Sequence, residues 1–301
     1  MKTLLLGEAL VDLVCERPVA SLQQAASFVP HVGGSPANVA ITAARLGAQV
    51  ALAGGVGADA WGDWLRERLA AEGVGTELLA TLRGAATAVA FVTVDEHGEP
   101  SFLIHAGAAG TATQALADAL PAAVDEAGAL VLSTGTLVAE DEREITLAAR
   151  DRALSRGIPV LFDPNLRPGR WANPTRAVSV ARGLVKDAFL VKANWVEATA
   201  LTGERDPVAA AEALLAGGAR HVVITCGADG AILRGGGLRL DVPGVPARVV
   251  DTTGAGDAVT GVLLARLAAS GFYAPAMAAA LPEAIAAGAA ATERWGALLD
   301  G

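Results

Sequence analysis

The sequence has few of the residues that build redox, metal or nucleic-acid sites. Its 301 residues include two cysteines and four histidines, and aromatic residues make up 4% of the chain. Cys15 and Cys226 cannot form a disulfide framework or a four-thiolate zinc site, so we expect a reducing cytoplasmic environment. The 23 basic and 32 acidic side chains give a net charge of −9. This acidity argues against nucleic-acid binding, because phosphates require a surface rich in Lys and Arg.

Uninterrupted apolar runs are also missing. The Ala-rich stretch 274–291 contains two prolines and Glu283, so it predicts a buried helix rather than a membrane span. The apolar start of the chain is broken by Glu8 and Asp12 and lacks a small-residue cleavage site. We therefore expect no targeting segment and no membrane partner.

What the sequence does contain is a regular alternation of short apolar strands and longer helices. Hydrophobic residues make up 52% of the chain, and the alternation predicts an α/β fold, a mostly parallel sheet with helices on both faces. Two strand-rich patches, at about 11–32 and 87–106, interrupt this order. Since ligands bind beyond the carboxyl ends of parallel strands, we expect these patches to form a small β lid on a single domain spanning 1–301.

The sharpest motif is Asp251–Asp257, which reads Asp-Thr-Thr-Gly-Ala-Gly-Asp. It follows a strand-like segment, Ala247–Val250, and precedes a long apolar helix. Small residues at a helix start leave backbone N–H groups open to an anion. Asp257 falls in the first turn, where it either caps the helix or takes a proton from a hydroxyl during phosphoryl transfer. We favour the second interpretation, because a cap does not require glycines before it.

A second motif, Gly33–Ala40, reads Gly-Gly-Ser-Pro-Ala-Asn-Val-Ala. Its two glycines allow a ligand to approach the backbone closely. Asn38 falls on the first turn of a predicted helix and offers both a donor and an acceptor to a polyol. Taken alone, the motif is equally typical of a glycine turn at a helix start.

Together the two motifs resemble the signatures of the ribokinase-like carbohydrate kinases, the pfkB family. The resemblance runs along the whole chain, since Gly55–Gly62, Asn194–Glu197 and Thr225–Gly230 follow in the family's order. It implies a ribokinase-like three-layer sandwich with a mostly parallel central sheet and a small β lid. It also implies an enzyme that uses ATP and Mg²⁺ to phosphorylate a primary hydroxyl of a small sugar.

The resemblance implies a role for each matching residue, with Asp257 as the base that deprotonates the sugar hydroxyl. The others are an anion hole of Gly254, Ala255 and Gly256; sugar contacts from Asp12, Gly33, Gly34, Asn38 and Arg167; nucleotide contacts from Asn194, Thr225, Gly227 and Gly230; a water-mediated Mg²⁺ contact from Glu197; and a K⁺ site, present in some relatives, at Asp251 and Thr253. The alternatives are a solvated helix acid for Glu197 and an ion pair with a lid cation for Asp12.

Three segments bear on the sugar. Phe162–Trp171 resembles a segment shared by fructokinases and 2-keto-3-deoxygluconate kinases, whereas Gly7–Asp12 is closer to fructokinases. Kinases of the keto-acid usually carry an Arg and a Tyr in the lid to meet the carboxylate, and Ser101–His105 has neither. We therefore predict fructose, while Arg167 leaves the keto-acid open. The run Gly107–Thr111 departs from the fructokinase pattern.

Two other functions stay open. A nucleoside kinase on the same scaffold would need an aromatic slot for a base, and Phe28, Phe91 and Phe102 are the candidates. A catalytically silent sugar-binding regulator would not need Asp257. We also expect a homodimer through the lid, because a bare sheet edge invites pairing.

Overall fold

The computed structural model describes residues 2–105 and 112–298. Ala106, the last residue of the predicted lid, and the run Gly107–Thr111 lie outside the described residues. The strands are β1 (Thr3–Leu6), β2 (Leu10–Pro18), β3 (Val29–Gly33), β4 (Val50–Gly57), β5 (Leu79–Leu82), β6 (Val89–Val94), β7 (Pro100–His105), β8 (Ala129–Leu132), β9 (Val160–Phe162), β10 (Leu190–Asn194), β11 (Val222–Thr225), β12 (Ala231–Gly235) and β13 (Leu238–Val242). The helices are α1 (Ser35–Arg45), α2 (Ala60–Ala71), α3 (Ala112–Ala115), α4 (Leu120–Glu126), α5 (Glu140–Ser155), α6 (Pro174–Gly183), α7 (Trp195–Thr202), α8 (Pro207–Ala216), α9 (Ala255–Ala269) and α10 (Pro275–Ala291).

A nine-stranded sheet, in the order β13-β12-β11-β10-β9-β8-β1-β4-β5, forms the centre of the molecule. Strand β1 pairs in parallel with β4 on one side and β8 on the other, so that Thr3 faces Val50 and Ala129. From β5 to β11 all pairs are parallel, and the hairpin β12–β13 adds antiparallel strands at one edge. This order confirms the predicted mostly parallel sheet.

Helices cover both faces of this sheet. Side chains alternate along β1, as they must in a strand, so Leu5 packs into one core with residues of α1, α2, α9 and α10. Leu4 and Leu6 belong to a second core, on the side of α4, α5, α6 and α8. Apolar residues on both faces explain why the strands read as continuous hydrophobic runs. The result is the three-layer sandwich that the sequence predicts.

A separate four-stranded sheet, in the order β3-β2-β6-β7, is formed by the two strand-rich patches. It has its own small core, which includes Leu10, Val14, Ala90 and Val92. The tip of its β6–β7 hairpin rests on the loop before α9, where the Thr252 N–H donates to the Gly98 carbonyl at 2.9 Å. This second sheet therefore reaches the loop that carries the sharpest sequence motif.

The strand predicted at Ala247–Val250 is wrong. The chain forms no strand at these positions, and Pro243 and Pro246 just before them remove backbone donors. The N–H groups of Val250 and Asp251 instead donate to the Thr292 carbonyl beyond α10, at 2.7 and 3.1 Å.

Among the helices of the described residues, none has the length and hydropathy of a membrane span.

Candidate active site

The candidate site lies where parallel strands of the large sheet end. Asp163 directly follows β9, Asn194 closes β10 and Thr225 closes β11. Asn194 and Thr225 face each other in register across β10 and β11. The N-termini of α1 and α9 complete the site, because side chains from both helices hydrogen-bond to each other there. These are the carboxyl ends of the strands, where open α/β sheets bind ligands.

The predicted anion hole opens helix α9. Gly254 is the N-cap residue with φ of 78°, a left-handed conformation that glycine adopts without strain. A Cβ on Gly254 would also lie 2.5 Å from the Ala297 Cα atom. No side chain caps the first turn of α9. The Gly256 N–H is therefore suited to an anion, and the Ala255 N–H beside it makes only a long bond of 3.4 Å to the Thr252 carbonyl.

Asp257 lies in that first turn, but it is not a cap. Its Oδ1 accepts a hydrogen bond from Ser35 Oγ at 2.7 Å, and its Oδ2 accepts one from Asn38 Nδ2 at 2.9 Å. Burial raises the pKa of Asp257 to about 6, although the bonds from Ser35 and Asn38 counteract this. A carboxylate with such a pKa is ionised at neutral pH and can still accept a proton, which is what a general base needs.

Asp12 lies on the second sheet with 4% of its surface exposed. A Cβ on Gly33 would lie 2.4 Å from Asp12 Cγ, so the glycine makes room for the carboxylate. Gly34 has φ of 96°, and a Cβ there would lie 2.5 Å from the Glu8 carbonyl oxygen. Both glycines of the motif are thus required by space or conformation.

The charge of Asp12 is coupled to the rest of the site. Burial, followed by the charges of Asp257 and Asp251, raises the pKa of Asp12 to about 7, and Arg167 opposes this shift. Arg167 is exposed, and its guanidinium lies 5.9 Å from the ring centre of Phe102 in the second sheet. Asp12 makes no ion pair within the described ranges. The alternative of an Asp12 ion pair with a lid cation is therefore not supported.

Glu197 and Asn194 form a capping box at the start of α7. Asn194 Oδ1 accepts from the Glu197 N–H at 2.9 Å, and Glu197 Oε2 accepts from the Asn194 N–H at 3.0 Å. Glu197 Oε1 accepts from the Leu166 N–H at 2.8 Å. Glu197 is 6% exposed, so its interpretation as a solvated helix acid is wrong. Burial and then Asp163 raise its pKa, against the effect of Lys192.

The residues fit a magnesium ion that is bound mainly by phosphates and water. No group of three or more His, Cys, Asp or Glu residues in the described ranges could hold a metal ion. Mg²⁺ usually keeps several waters and takes only one or two protein carboxylates. Each Glu197 oxygen accepts one N–H bond, which leaves further lone pairs for a water in the shell of the ion.

The predicted nucleotide turn follows β11. Gly227 and Gly230 have φ of 58° and 93°, and the Cys226 N–H donates to the Gly230 carbonyl at 2.7 Å. A Cβ on Gly230 would lie 2.0 Å from the Val242 carbonyl oxygen. The turn therefore requires both glycines, and it lies directly after Thr225.

Asp251 and Thr253 lie in the loop before α9. Asp251 is fully buried; its Oδ1 accepts from the Thr253 N–H at 2.8 Å and its Oδ2 from the Gly296 N–H at 2.9 Å. Thr253 Oγ1 is buried without a hydrogen-bond partner in the described structure. A buried carboxylate beside an unsatisfied hydroxyl oxygen offers oxygen ligands of the kind that bind hard cations.

Residues 2–297 match the model of the pfkB family carbohydrate kinases. The chain belongs to that family. This confirms the predicted family and its sugar-kinase chemistry. Fructokinase-1 of Oryza sativa subsp. japonica is 34% identical over 265 residues, which are 87% of this chain and 81% of that protein.

Solved structures of similar kinases share the fold of this pfkB family member. A double mutant of the Vibrio cholerae O395 fructokinase, with fructose, ADP and potassium ion bound, has a TM-score of 0.84 at 30% identity, covering 98% of this chain and 93% of that one. Aminoimidazole riboside kinase from Salmonella enterica, with aminoimidazole riboside and an ATP analog, has a TM-score of 0.82 at 29% identity, covering 99% and 95%. The same Vibrio cholerae fructokinase also has a structure with fructose, ADP and calcium ion bound, and a putative Ribokinase II from E. coli has one with ATP and Mg²⁺.

Sequence reasoning missed several polar residues of this carbohydrate kinase site. Ser35 lies in the motif Gly33–Ala40, which assigns it no role, yet its hydroxyl donates to Asp257. Lys192 and Asp163 form a buried ion pair of 3.2 Å, and Thr260 donates to the same Asp163 oxygen at 2.6 Å. One signal was available for Lys192, because a lysine inside the apolar strand β10 is rarely buried unless it is paired.

Proposed function

We propose that this chain transfers the γ-phosphoryl group of ATP to a primary hydroxyl of fructose. The observation that carries the proposal is the position of Asp257, a buried carboxylate in the first turn of a helix whose N–H groups no side chain caps. A base and an anion site are thus adjacent, which is the arrangement that phosphoryl transfer to a hydroxyl requires.

The sugar would bind between the second sheet and helices α1 and α9. Asn38 donates to Asp257 through Nδ2, and its Oδ1 is buried with no partner in the described structure. A sugar hydroxyl would satisfy that oxygen, and Asp12 would accept from two neighbouring hydroxyls. Asp257 would take the proton of the attacking hydroxyl while the N–H groups of Gly254, Ala255 and Gly256 hold the transferred phosphoryl group.

The nucleotide would bind along Asn194, Thr225, Gly227 and Gly230, at the adjoining ends of β10 and β11. Mg²⁺ supplies positive charge to the phosphates when bound, and Glu197 would orient a water in its shell. Asp251 and Thr253 would hold a monovalent cation, for which K⁺ is our first choice. Replacing K⁺ by a larger organic cation in the assay would then lower activity.

Fructose is favoured over the other sugars by similarity and by charge. The curated relative named above is a fructokinase. The strands of the second sheet contain no Tyr, and their one Arg, Arg17, lies at the exposed end of β2, where it donates to the Gln24 carbonyl. Arg167, with its guanidinium near Phe102, would be the partner of that carboxylate if the keto-acid were the substrate. The similarity to a riboside kinase makes a nucleoside the second candidate.

The candidate aromatic slot for a nucleoside gives that alternative little support. Phe28 and Phe91 pack edge to face at 5.2 Å, and Phe91 also packs against His105. Phe102 faces Arg167. These rings already contact each other or other side chains rather than forming two parallel walls around a base.

The second sheet would act as the lid of the site. Because its own core is small, this sheet can move with little loss of buried surface. The tip of its hairpin contacts Thr252, so the sheet reaches the loop before α9. Hydrogen exchange of residues 87–105 should slow when fructose is added. Equal exchange with and without sugar would contradict a lid.

We also propose a homodimer through the lid. Strands β3 and β7 are the edges of the second sheet, and Val29 and Leu103 are 40% and 47% exposed. Exposed edge strands with apolar side chains favour pairing with another chain. Light scattering of the purified protein tests this, and Leu103→Lys should shift the mass toward the monomer.

A reducing cytoplasmic compartment fits the two cysteines. Cys15 is buried and Cys226 is half-buried, and neither forms a disulfide. Fractionation of cells that express the chain tests the compartment.

The experiment that tests the function uses the purified chain with ATP, Mg²⁺, K⁺ and fructose. ³¹P NMR of the mixture should show ADP and a fructose phosphate esterified at a primary carbon. A silent regulator would instead bind fructose without ADP formation, and that result would overturn the proposal.

A further inference from the structure

Lys192 lies at the centre of the candidate site, yet none of the roles above uses it. It is on β10 and only 4% exposed, and its ammonium lies 3.2 Å from Asp163 Oδ2. Burying a charge is costly, and a buried ion pair is seldom more stable than an apolar pair of the same size. Stability alone is therefore a weak reason for a lysine at this position.

The ammonium lies directly against the anion hole. A Cβ built on Gly256 would lie 2.8 Å from Lys192 Nζ. Gly256 is inside α9 and does not have the left-handed conformation that requires glycine at Gly254. A larger residue at Gly256 would therefore have to displace the ion-paired ammonium of Lys192.

Thr260 connects this ammonium to the same helix. It lies one turn after Gly256, and its Oγ1 is 2.6 Å from Asp163 Oδ2 and 3.1 Å from the Gly256 carbonyl oxygen. Asp163 Oδ2 thus contacts both Lys192 and Thr260. This shared oxygen fixes the ammonium relative to the start of α9.

Three carboxylates face Lys192, namely Asp163 after β9, Glu197 on α7 and Asp257 on α9. Burial acts to lower the pKa of Lys192, but these three charges outweigh it and raise its pKa above the usual value. The lysine therefore stays protonated. In turn its charge lowers the pKa of Asp257, whereas Asp163 raises it.

We propose that Lys192 supplies a fixed positive charge behind the anion hole, which stabilises the phosphoryl group during transfer, and that Asp163 and Thr260 position it. The proposal rests on the proposed kinase function but not on which sugar is used. The sugar oxygen forms a bond to the γ-phosphorus, the bond from that phosphorus to the bridging oxygen of ADP breaks, and Asp257 receives the hydroxyl proton. Lys192 keeps its protons throughout.

The first test replaces Lys192 by a neutral side chain of similar length, Lys192→Met. We expect kcat to fall by about 10²-fold, the scale of losing one electrostatic contact to a transition state, with less change in KM for sugar and ATP. The acid limb of kcat/KM should move to higher pH, because the Asp257 pKa rises when the charge is removed. The groups around Asp257 that bear on this shift are Asp12, Asp163, Lys192, Ser35 and Asn38.

A pair of further variants separates this role from a structural one. Lys192→Met leaves Asp163 buried without its cation, which destabilises the fold. The double variant Lys192→Met/Asp163→Asn removes both charges and should regain most of the thermal stability. Its acid limb should return close to that of the wild type, since the opposite effects of Lys192 and Asp163 on Asp257 are both lost.

The kcat of the double variant distinguishes a catalytic role of Lys192 from a purely structural one. We expect it to stay about 10²-fold below wild type, because the positive charge behind the anion hole is still missing. Recovery of kcat together with stability would show that the pair is structural and would overturn the proposal. The proposed function is judged separately, on whether the wild-type chain phosphorylates any sugar.

Discussion

Asn38 Nδ2 donates a hydrogen bond of 2.9 Å to Asp257 Oδ2, which joins two helices whose sequence motifs are 219 residues apart. The same amide leaves its Oδ1 buried and without a partner in the described structure. In the proposed reaction, one side chain would thus orient the base and offer an acceptor for the sugar. Binding of the sugar and activation of its hydroxyl would then be linked through Asn38.

Asp257→Asn should lower kcat by about 10²-fold or more, the usual contribution of a general base. The amide cannot accept the proton, but it keeps the size of the carboxylate, so the KM for sugar should change little. Steady-state kinetics measure both. Asp206→Asn is the matched control, because Asp206 truly caps a helix, accepting from the Ala209 N–H at 2.9 Å. A kcat for Asp257→Asn as high as that of the control would contradict the base.

The pH dependence should show two carboxylates. Burial raises the pKa of Asp12 to about 7 and that of Asp257 to about 6, and both must be ionised, one to bind hydroxyls and one to take a proton. We therefore expect kcat/KM for the sugar to fall as the pH decreases through this range.

Ser35→Ala tests the lower of these two pKa values. The Ser35 hydroxyl donates to Asp257 and favours its ionised form, so its removal should move the lower limb of the pH profile upward. Ser155→Ala, on the exposed end of α5, is the control and should leave the profile unchanged. An unshifted pH profile in Ser35→Ala would show that the ionisation of Asp257 does not determine the acid limb.

The candidate site was partly predictable from the sequence. Asp257, Gly254 and Asn38 lie in local motifs, and a local motif carries its own turn and helix start. Ser35 to Asp257 and Thr260 to Asp163 are contacts over 222 and 97 residues. Such contacts depend on how helices pack on the sheet, which local spacing does not encode.

The sequence predicts the fold correctly where strands and helices alternate regularly. The prediction fails in the irregular segment before α9. The alternation of strands and helices fixes the parallel sheet, because parallel strands need crossovers. The segment Ala247–Val250 has a β-like composition, but its backbone bonds to the end of α10. Tertiary contacts overrode a weak local preference there.

Asp12→Asn should raise the KM for fructose more than tenfold, about 1.4 kcal/mol or more of lost binding, with little change in the KM for ATP. It should also stabilise the fold at alkaline pH. The raised pKa means that the folded chain binds this proton more tightly than the unfolded chain. Stability is therefore lost as the pH rises from the ordinary value of 3.8 to about 7, and the full loss is present above pH 7.

Thermal melts check the second part. Asp12→Asn should melt higher than wild type at pH 8, and the difference should shrink at pH 4, where Asp12 of the wild type is protonated in the folded state. The reverse order, or equal KM values for fructose in the two proteins, would contradict a buried sugar-binding carboxylate.

Glu197→Gln should raise the Mg²⁺ concentration needed for half-maximal rate, because an amide cannot replace the charge that orients a water on the ion. It also replaces one acceptor by a donor opposite a backbone N–H, which should cost about 1–3 kcal/mol of stability. Asn173→Ala, which removes the N-cap of α6, controls for stability loss alone. An Mg²⁺ titration equal to that of the control would leave Glu197 with only its capping role.

The central claim is that this pfkB family member is a kinase of a neutral ketose. The most direct measurement is kcat/KM with ATP for fructose, 2-keto-3-deoxygluconate, ribose and adenosine under identical conditions. We predict that fructose is favoured over each of the others by about tenfold or more, since an unpaired buried group costs about 1–3 kcal/mol. A higher kcat/KM for 2-keto-3-deoxygluconate would contradict the account, and Arg167 would then be the residue to replace first.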